Sequence, residues 1–125
     1  MKYSITYEYI KDDTILIRTF KGSLSLNEIA NCIKDDIKQG AIHGGLIGVI
    51  NDYLEADIHI EMDDLDKILS VFEERQDLFL AMKWAVIVDF SVAAVPSIFK
   101  EKNPEYSLQS FTDFPSALRW VEGVS

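Results

Sequence analysis

Hydrophobic and polar positions alternate with a period of two in the first ten residues. In the segment "KYSITYEYI" (2–10), Tyr3, Ile5, Tyr7 and Tyr9 share one side and Ser4, Thr6 and Glu8 the other, and "TILIRTF" (14–20) is predicted as a second strand. Three polar residues, Lys11 to Asp13, separate the two segments. This pattern predicts two strands joined by a short turn, which together form an antiparallel hairpin.

The period then changes from strand-like to helical. Gly22 is expected to break the strand pattern. Ser25 and Glu28 in "SLNE" have the spacing of a capping box, which marks the start of a helix. Gly40 is expected to end that helix. Between them lies one apolar stripe at helical spacing, formed by Leu26, Ile29, Ala30, Ile33 and Ile37.

The rest of the chain alternates short apolar runs with amphipathic segments. "LIGVIN" (46–51) and "WAVIVD" (84–89) are apolar at successive positions, which is typical of strands covered on both faces. "SLQSF" (107–111) predicts the last strand, whereas "DLFLAM" (77–82) fits either a helix or a loop. Three further helices are predicted: 62–75, then 97–102 with Pro96 in its first turn, and 113–123 capped by Thr112 or Asp113.

The predicted order of elements is β-β-α-β-α-β-α-β-α. Strands that alternate with helices indicate a mostly parallel sheet with right-handed crossovers, to which the opening hairpin adds one antiparallel strand. A chain of 125 residues fits one domain, 1–125. We therefore predict a single α/β domain with a mixed five-stranded sheet flanked by about four helices.

Charge and composition limit the possible functions of the protein and its possible location in the cell. The net charge is −9, from 21 acidic and 12 basic residues, and no Lys/Arg face is visible, so binding to nucleic acid or to an anionic membrane surface is not expected. No apolar run is long enough to span a bilayer, and the first residues lack the apolar core of a signal peptide. With one cysteine, no intrachain disulfide can form, and a cytoplasmic location is predicted.

Four segments carry a resemblance to a known family. "FKGSLSLNEI", "LIGVINDY", "WAVIVD" and "SFTDFPSALRWV" occur in this order and cover nearly the whole chain. Together they resemble STAS-like domains, specifically the SpoIIAA-like group related to anti-sigma-factor antagonists. The resemblance implies a STAS/SpoIIAA-like fold and a non-catalytic regulatory or interaction module that binds a protein partner.

The chain departs from that family at its regulatory serine. Anti-sigma-factor antagonists carry a phosphorylatable serine at the start of the helix after the central strand. The corresponding region here is "EMDDLDKI", Glu61 to Ile68, which contains no serine or threonine. Asp63 and Asp64 could supply a constant negative charge there, but helix capping and favourable interaction with the helix dipole explain them more simply.

Polar residues follow two predicted central strands at the point where each strand is expected to end. Ligand crevices of open parallel sheets form outside the carboxyl ends of the strands. This position predicts a ligand- or partner-binding site, although such residues also simply terminate strands. No catalytic residue and no cofactor are assigned, and an enzyme using Asp52 and Asp89 is a less favoured hypothesis. The predicted site residues are Asn51, Asp52, Tyr53, Asp89, Phe90 and Ser91.

Two other parts of the sequence contain residue types that can bind a metal or react as a nucleophile. Asp57, His59 and Glu61 alternate and would share one face of an extended segment, at a spacing compatible with metal ligands. No second histidine or cysteine lies nearby, so the exposed side of a half-buried strand is the simpler interpretation, and no metal is assigned. Cys32 flanks an apolar helical stripe and is interpreted as a small packed residue.

The segment "DFSVAAVPSIF" (89–99) is apolar where a loop is usually polar. It could cover the core. Alternatively, it could form an apolar patch for a protein partner, a second subunit or a lipid-like ligand. A small-molecule binding module with an apolar ligand near residues 90–96 is therefore the main alternative to a partner-binding module.

Overall fold

The computed structural model describes residues 2–123, which form one mixed sheet of five strands in the order β1-β2-β3-β4-β5. β1 is antiparallel to β2, and the other neighbouring strands are parallel. The predicted α/β class and mixed five-stranded sheet are confirmed. The strands are β1 (Tyr3–Ile10), β2 (Ile15–Ser25), β3 (Gly48–His59), β4 (Lys83–Ile87) and β5 (Ser107–Phe111). The helices are α1 (Leu26–Lys38), α2 (Leu65–Glu74), α3 (Gln76–Phe79), α4 (Ala94–Lys102) and α5 (Phe114–Glu122).

The predicted hairpin forms, with Ile10 opposite Ile15 at its closed end. Lys11, Asp12 and Asp13 all have φ near +60°, at 56°, 57° and 61°. Aspartate tolerates this left-handed region better than most residues do. The hydroxyl and the backbone N–H of Thr14 both donate to the Lys11 carbonyl and close the turn.

β2 passes through Gly22 instead of stopping there, which corrects the expected break. Gly22 has φ +94°, and a Cβ at this position would lie 2.2 Å from the Lys2 carbonyl oxygen. Only glycine permits this close approach of two backbones. Gly22 therefore allows the strand to continue beside the start of β1, up to the Ser25 cap of α1.

β3 also extends well beyond its predicted end. The sequence suggested that it ends at Asn51, but β3 continues to His59 because the extended part of β2 pairs with it, as far as Ser25 opposite His59. Pairing with β4 stops at Asp52 opposite Ile87. The prediction that Asn51 and Asp52 lie at a strand end is therefore wrong, since both lie within β3.

A β-bulge in β3 changes which residues face the helices. The register moves from Thr19 opposite Asp52 to Lys21 opposite Glu55, so β3 contains one extra residue. Before the bulge, odd-numbered residues such as Val49 and Tyr53 belong to the large core. After the bulge, the even-numbered Ala56, Ile58 and Ile60 pack against it. One inserted residue thus turns the end of this segment towards α1, α2 and α4.

Two cores cover the two faces of the sheet, as the apolar runs of β3 and β4 predicted. Phe72 on α2 lies at the centre of the large core, stacked on Phe79 at a centroid distance of 4.1 Å. Its ring also meets Trp84, Phe99 and Tyr106 edge to face. The small core packs β2, β3 and β4 against α5, with Trp120 half-buried at its edge.

The first and last helices have the predicted caps. The Ser25 hydroxyl accepts from the Glu28 N–H at 3.1 Å, and the Glu28 carboxylate accepts from the Ser25 N–H at 3.0 Å, which confirms the capping box. Asp113 rather than Thr112 caps α5, because its carboxylate accepts from the Ser116 N–H at 2.8 Å. Gly123, with φ +76°, ends α5.

Boundaries of the middle elements differ from the predictions by one to three residues at most ends. A 3-10 turn, Met62–Asp64, precedes α2, so the predicted helix 62–75 is divided into two. α4 begins at Ala94 rather than residue 97, with Pro96 in its first turn. "DLFLAM" contains the end of the short α3 and then a turn, and β4 covers 83–87 rather than 84–89.

Candidate functional site

Asn51, the first predicted site residue, is completely buried. Its side-chain oxygen accepts a hydrogen bond from Arg18 Nη1 at 2.7 Å, and its amide nitrogen donates to the Ala85 carbonyl at 3.0 Å. The side chain therefore links β2, β3 and β4 beneath the helices. These contacts explain Asn51 as a structural residue that no external ligand reaches in this conformation.

Asn51 belongs to a polar network of Tyr7, Arg18, Asp36 and Asn51, which is buried except for Tyr7, 45% of which is exposed. Tyr7, Arg18 and Asn51 lie opposite one another on β1, β2 and β3, and Asp36 comes from α1. Arg18 Nε donates to one Asp36 oxygen at 2.8 Å, and the Tyr7 hydroxyl donates to the other at 2.8 Å. The network joins α1 to three strands.

Arg18 is fully buried, and aromatic rings complete its surroundings. The guanidinium carbon lies 5.0 Å from the Phe20 ring centroid and 5.8 Å from the centroid of Trp84. Among the described residues, Arg18 Nη2 is a buried donor without a hydrogen-bond partner. Burial and the Asp36 hydrogen bond raise the pKa of Tyr7 to about 12, so Tyr7 stays a donor at neutral pH.

The sequence contains a signal for this network. Arg18 interrupts the apolar side of β2 between Leu16 and Phe20, and Asp36 lies three residues after Ile33 on the buried side of α1. A charge at an inward-facing position indicates a buried partner of opposite sign. Identifying Asn51 as a member also requires the β2–β3 register.

Asp52 and Asp89 each accept hydrogen bonds from a residue two positions later in the chain. Asp52 Oδ1 accepts from the Leu54 N–H at 3.0 Å. Asp89 Oδ1 accepts from the Ser91 N–H at 2.9 Å and also from the Ser91 hydroxyl. Because both carboxylates are engaged locally, the arrangement gives no support to a catalytic pair of acids.

Tyr53, Phe90 and Ser91 have three different environments. Tyr53 is buried and stacks on Phe20 with centroids 4.5 Å apart, and burial raises the pKa of its hydroxyl. Phe90 is the opposite case, since 87% of it is exposed. Ser91 is exposed in the turn before α4. The structure therefore does not gather the six predicted residues into one polar site.

An apolar cleft of about 70 Å³ lies beside these residues and is partly open to solvent. All sixteen lining side chains are apolar or aromatic, from β3, β4, β5, α1, α2, α4 and the loops between them. Tyr53 and Trp84 are on its sheet side. Val92, Val95 and Phe99 show that the apolar segment 89–99 forms one wall.

Two exposed apolar side chains come from the segments that line this cleft. Phe90, 87% exposed, lies two residues before the lining residue Val92. Met62, 48% exposed, lies between the lining residues Ile60 and Leu65. Exposed apolar groups next to a concave apolar surface are typical of binding sites. Of the six residues predicted from the sequence, only Tyr53 lines this cleft.

Asp57, His59 and Glu61 stay at the surface. His59 Nε2 lies 3.9 Å from Asp57 Oδ2, and both side chains are mostly exposed. Within residues 2–123, no group of three His, Cys, Asp or Glu side chains is arranged to hold a metal ion. Cys32 is buried, its thiol donates to the Tyr3 hydroxyl at 3.6 Å, and burial raises the thiol pKa.

Comparison with known proteins identifies the fold. No family model and no curated protein matches the chain. An uncharacterised protein of the DUF3478 family from Shewanella loihica PV-4, with a SpoIIAA-like fold, matches with TM-score 0.63, 19% identity, and coverage of 95% of this chain and 93% of that one. The chain has the SpoIIAA-like fold.

Anti-sigma factor antagonists share this SpoIIAA-like fold. The antagonist from Mycobacterium paratuberculosis matches with TM-score 0.58 and 13% identity, covering 95% of each chain. Unphosphorylated SpoIIAA matches with TM-score 0.54 and 14% identity, covering 97% of this chain and all of its own. At such low sequence identity, the structural similarity establishes the fold and does not establish an activity. No helix in the described part of the chain is both long and apolar enough to cross a membrane.

Proposed function

We propose that this SpoIIAA-like protein is a non-catalytic regulatory or interaction module that binds a protein partner at the apolar cleft. The observation that carries the proposal is the combination of the partly open cleft with exposed Phe90 and Met62. The centres of protein interfaces are enriched in aromatic residues and in apolar pockets that receive a side chain of the partner.

The size of the cleft favours a partner's side chain over a free ligand. An apolar cavity of about 150 Å³ holds one benzene molecule, and ligand pockets usually measure about 300–1,000 Å³. The cleft measures about 70 Å³. A free ligand would leave most of its surface in water, whereas a partner protein needs to insert only one side chain and covers the rim with the rest of its surface.

A small apolar or lipid-like ligand is the second candidate. The observation that favours it is the wholly apolar and aromatic lining of the cleft. Such a ligand would require the α4 wall, including Val95 and Phe99, to move outwards until the volume increases several-fold.

The partner-binding proposal does not rely on a phosphorylated serine next to the cleft. The segment from Glu61 to Ile68 forms the 3-10 turn and the start of α2, and it contains no hydroxyl side chain. Its acids carry negative charge without modification. We therefore infer that binding here is independent of a serine switch in this segment.

We also place the protein in the cytoplasm, where its buried free thiol, Cys32, would stay reduced.

Native mass spectrometry of protein gently purified from its own cells tests the proposal. Val95→Phe fills the cleft, and Ser97→Phe adds the same ring to an exposed position on the same helix. We expect the wild type and Ser97→Phe to retain a second polypeptide or a second copy, and Val95→Phe to lose it. A wild-type monomer carrying a small extra mass would instead support the apolar-ligand candidate. A partner retained equally by all three proteins would overturn the assignment to the cleft.

A further inference from the structure

Apolar and acidic residues are interleaved on one side of the apolar cleft. Ile60 and Leu65 line the cleft, and Met62 is exposed between them. Four acids and no base occupy the remaining positions of the segment 60–66, which we call the acidic rim: Glu61, Asp63, Asp64 and Asp66.

Most of this negative charge is not neutralised by neighbouring side chains. Asp64 forms an ion pair with Lys67 at 3.1 Å. Glu61, Asp63 and Asp66 are exposed, and within residues 2–123 no ion pair involves them. Favourable interaction with the α2 dipole accounts for an acid in the first turn, but Glu61 precedes even the 3-10 turn.

We propose that the partner's docking segment is basic and carries one large apolar side chain that enters the cleft while flanking Lys or Arg residues contact the acidic rim. This inference rests on the proposed function, because it names the chemistry of the partner at that same cleft. The apolar anchor supplies most of the affinity, and the opposite charges supply orientation and a faster association rate. With a net charge of −9, the protein repels acidic competitors.

Synthetic peptides test the two parts of this chemistry separately. The probes are three short labelled helical peptides: a leucine anchor flanked by lysines, the same anchor flanked by glutamates, and an alanine anchor flanked by lysines. Fluorescence anisotropy with the full-length chain gives each Kd. We expect the lysine–leucine peptide to bind at least about tenfold more tightly than the other two, and its binding to weaken when salt rises from about 50 to about 300 mM.

Two triple variants, each of which removes three negative charges, test whether the acidic rim causes the preference for the lysine peptide. The triple variant Glu61→Gln, Asp63→Asn, Asp66→Asn removes three charges from the acidic rim. Its control, Asp12→Asn, Glu73→Gln, Glu74→Gln, removes three exposed charges elsewhere. We expect only the rim variant to lose the preference for lysine over glutamate. Equal loss in both triple variants would overturn the inference, because the effect would then come from net charge alone.

Other results separate this inference from the proposed function. Equal binding of the lysine and glutamate peptides, together with a cellular partner that Val95→Phe removes, would overturn the basic-segment inference and leave partner binding at the cleft intact. A cellular partner that Val95→Phe does not remove would overturn both proposals. Equal binding of the leucine and alanine peptides, or binding to phosphatidylglycerol vesicles without any peptide binding, would also exclude an anchored basic segment.

Discussion

The polar network and the apolar cleft lie on the same face of the sheet and share Trp84, yet their properties are opposite. Trp84 lies near the Arg18 guanidinium and also lines the cleft. Arg18, Asp36 and Asn51 of the network are closed off from solvent and Tyr7 is partly exposed, whereas the cleft consists of apolar and aromatic groups partly open to solvent. Asn51, a polar residue after an apolar run, thus stabilises the fold, whereas the apolar segment 89–99 forms a wall of the cleft.

Arg18 and Asp36 can be buried because their opposite charges neutralise each other. A buried ion pair is tolerated when further hydrogen bonds satisfy its atoms. Here Tyr7 and Asn51 provide two such bonds, and Arg18 Nη2 is left without a partner. The lining of the cleft is almost entirely apolar, so its partial exposure mainly brings apolar groups into contact with water. Stability should therefore depend on the network and binding on the cleft.

The largest effect is expected from Arg18→Leu. The substitution leaves the nearly buried Asp36 without its cation and the side-chain oxygen of Asn51 without a donor. The free energy of unfolding should therefore fall by about 3–5 kcal/mol. Urea denaturation followed by circular dichroism measures it. The double variant Arg18→Met, Asp36→Leu should recover part of the loss, because no unpaired charge remains. A loss below about 1 kcal/mol for Arg18→Leu would mean that the network contributes little.

Ser25→Ala should have an intermediate effect on both regions. It removes the cap of α1, the helix that supplies Asp36 to the network and Leu26 to the cleft. We expect a loss of about 1 kcal/mol in the free energy of unfolding, measured in urea. Ser25→Asn keeps a capping side chain and is the control, which should remain close to wild type.

Much of the fold could be predicted from local patterns. Period-two alternation gave the hairpin, and the capping box gave the start of α1. The extension of β3 to His59 depends on β2 as a partner, and the bulge depends on their register, so neither is visible in a single segment. For the same reason, the structural role of Asn51 could not be separated from a functional one without locating Arg18.

Alkaline pH should lower the free energy of unfolding through Tyr7, by less than either Arg18→Leu or Ser25→Ala does. The pKa of Tyr7 is raised from 10.0 to about 12, so the folded protein binds the Tyr7 proton more tightly than the unfolded chain does. This contribution is present below pH 10 and is lost as pH rises from 10 towards 12. Thermal unfolding across this range should show a shallower decline for Tyr7→Phe than for wild type. An identical slope would show that Tyr7 does not titrate as proposed.

The smallest effect on stability is expected from Phe90→Ser, because the side chain is 87% exposed. The free energy of unfolding should change by less than about 0.5 kcal/mol. Partner binding should nevertheless fall by at least about tenfold, as expected for the loss of an aromatic anchor. Isothermal titration with the purified partner measures that change. Comparable losses of stability and binding would contradict the division of roles between the network and the cleft.

Photo-crosslinking inside cells tests the central claim most directly. A photoreactive phenylalanine analogue replaces Phe90, two residues before the lining residue Val92, in one variant and Thr6, an exposed residue of β1, in the other. Partner binding at the cleft predicts a specific crosslinked polypeptide from position 90 that disappears when Val95→Phe is added, and none from position 6. A product from position 6 alone, or one from position 90 that persists with Val95→Phe, would contradict the claim that the apolar cleft is the binding site.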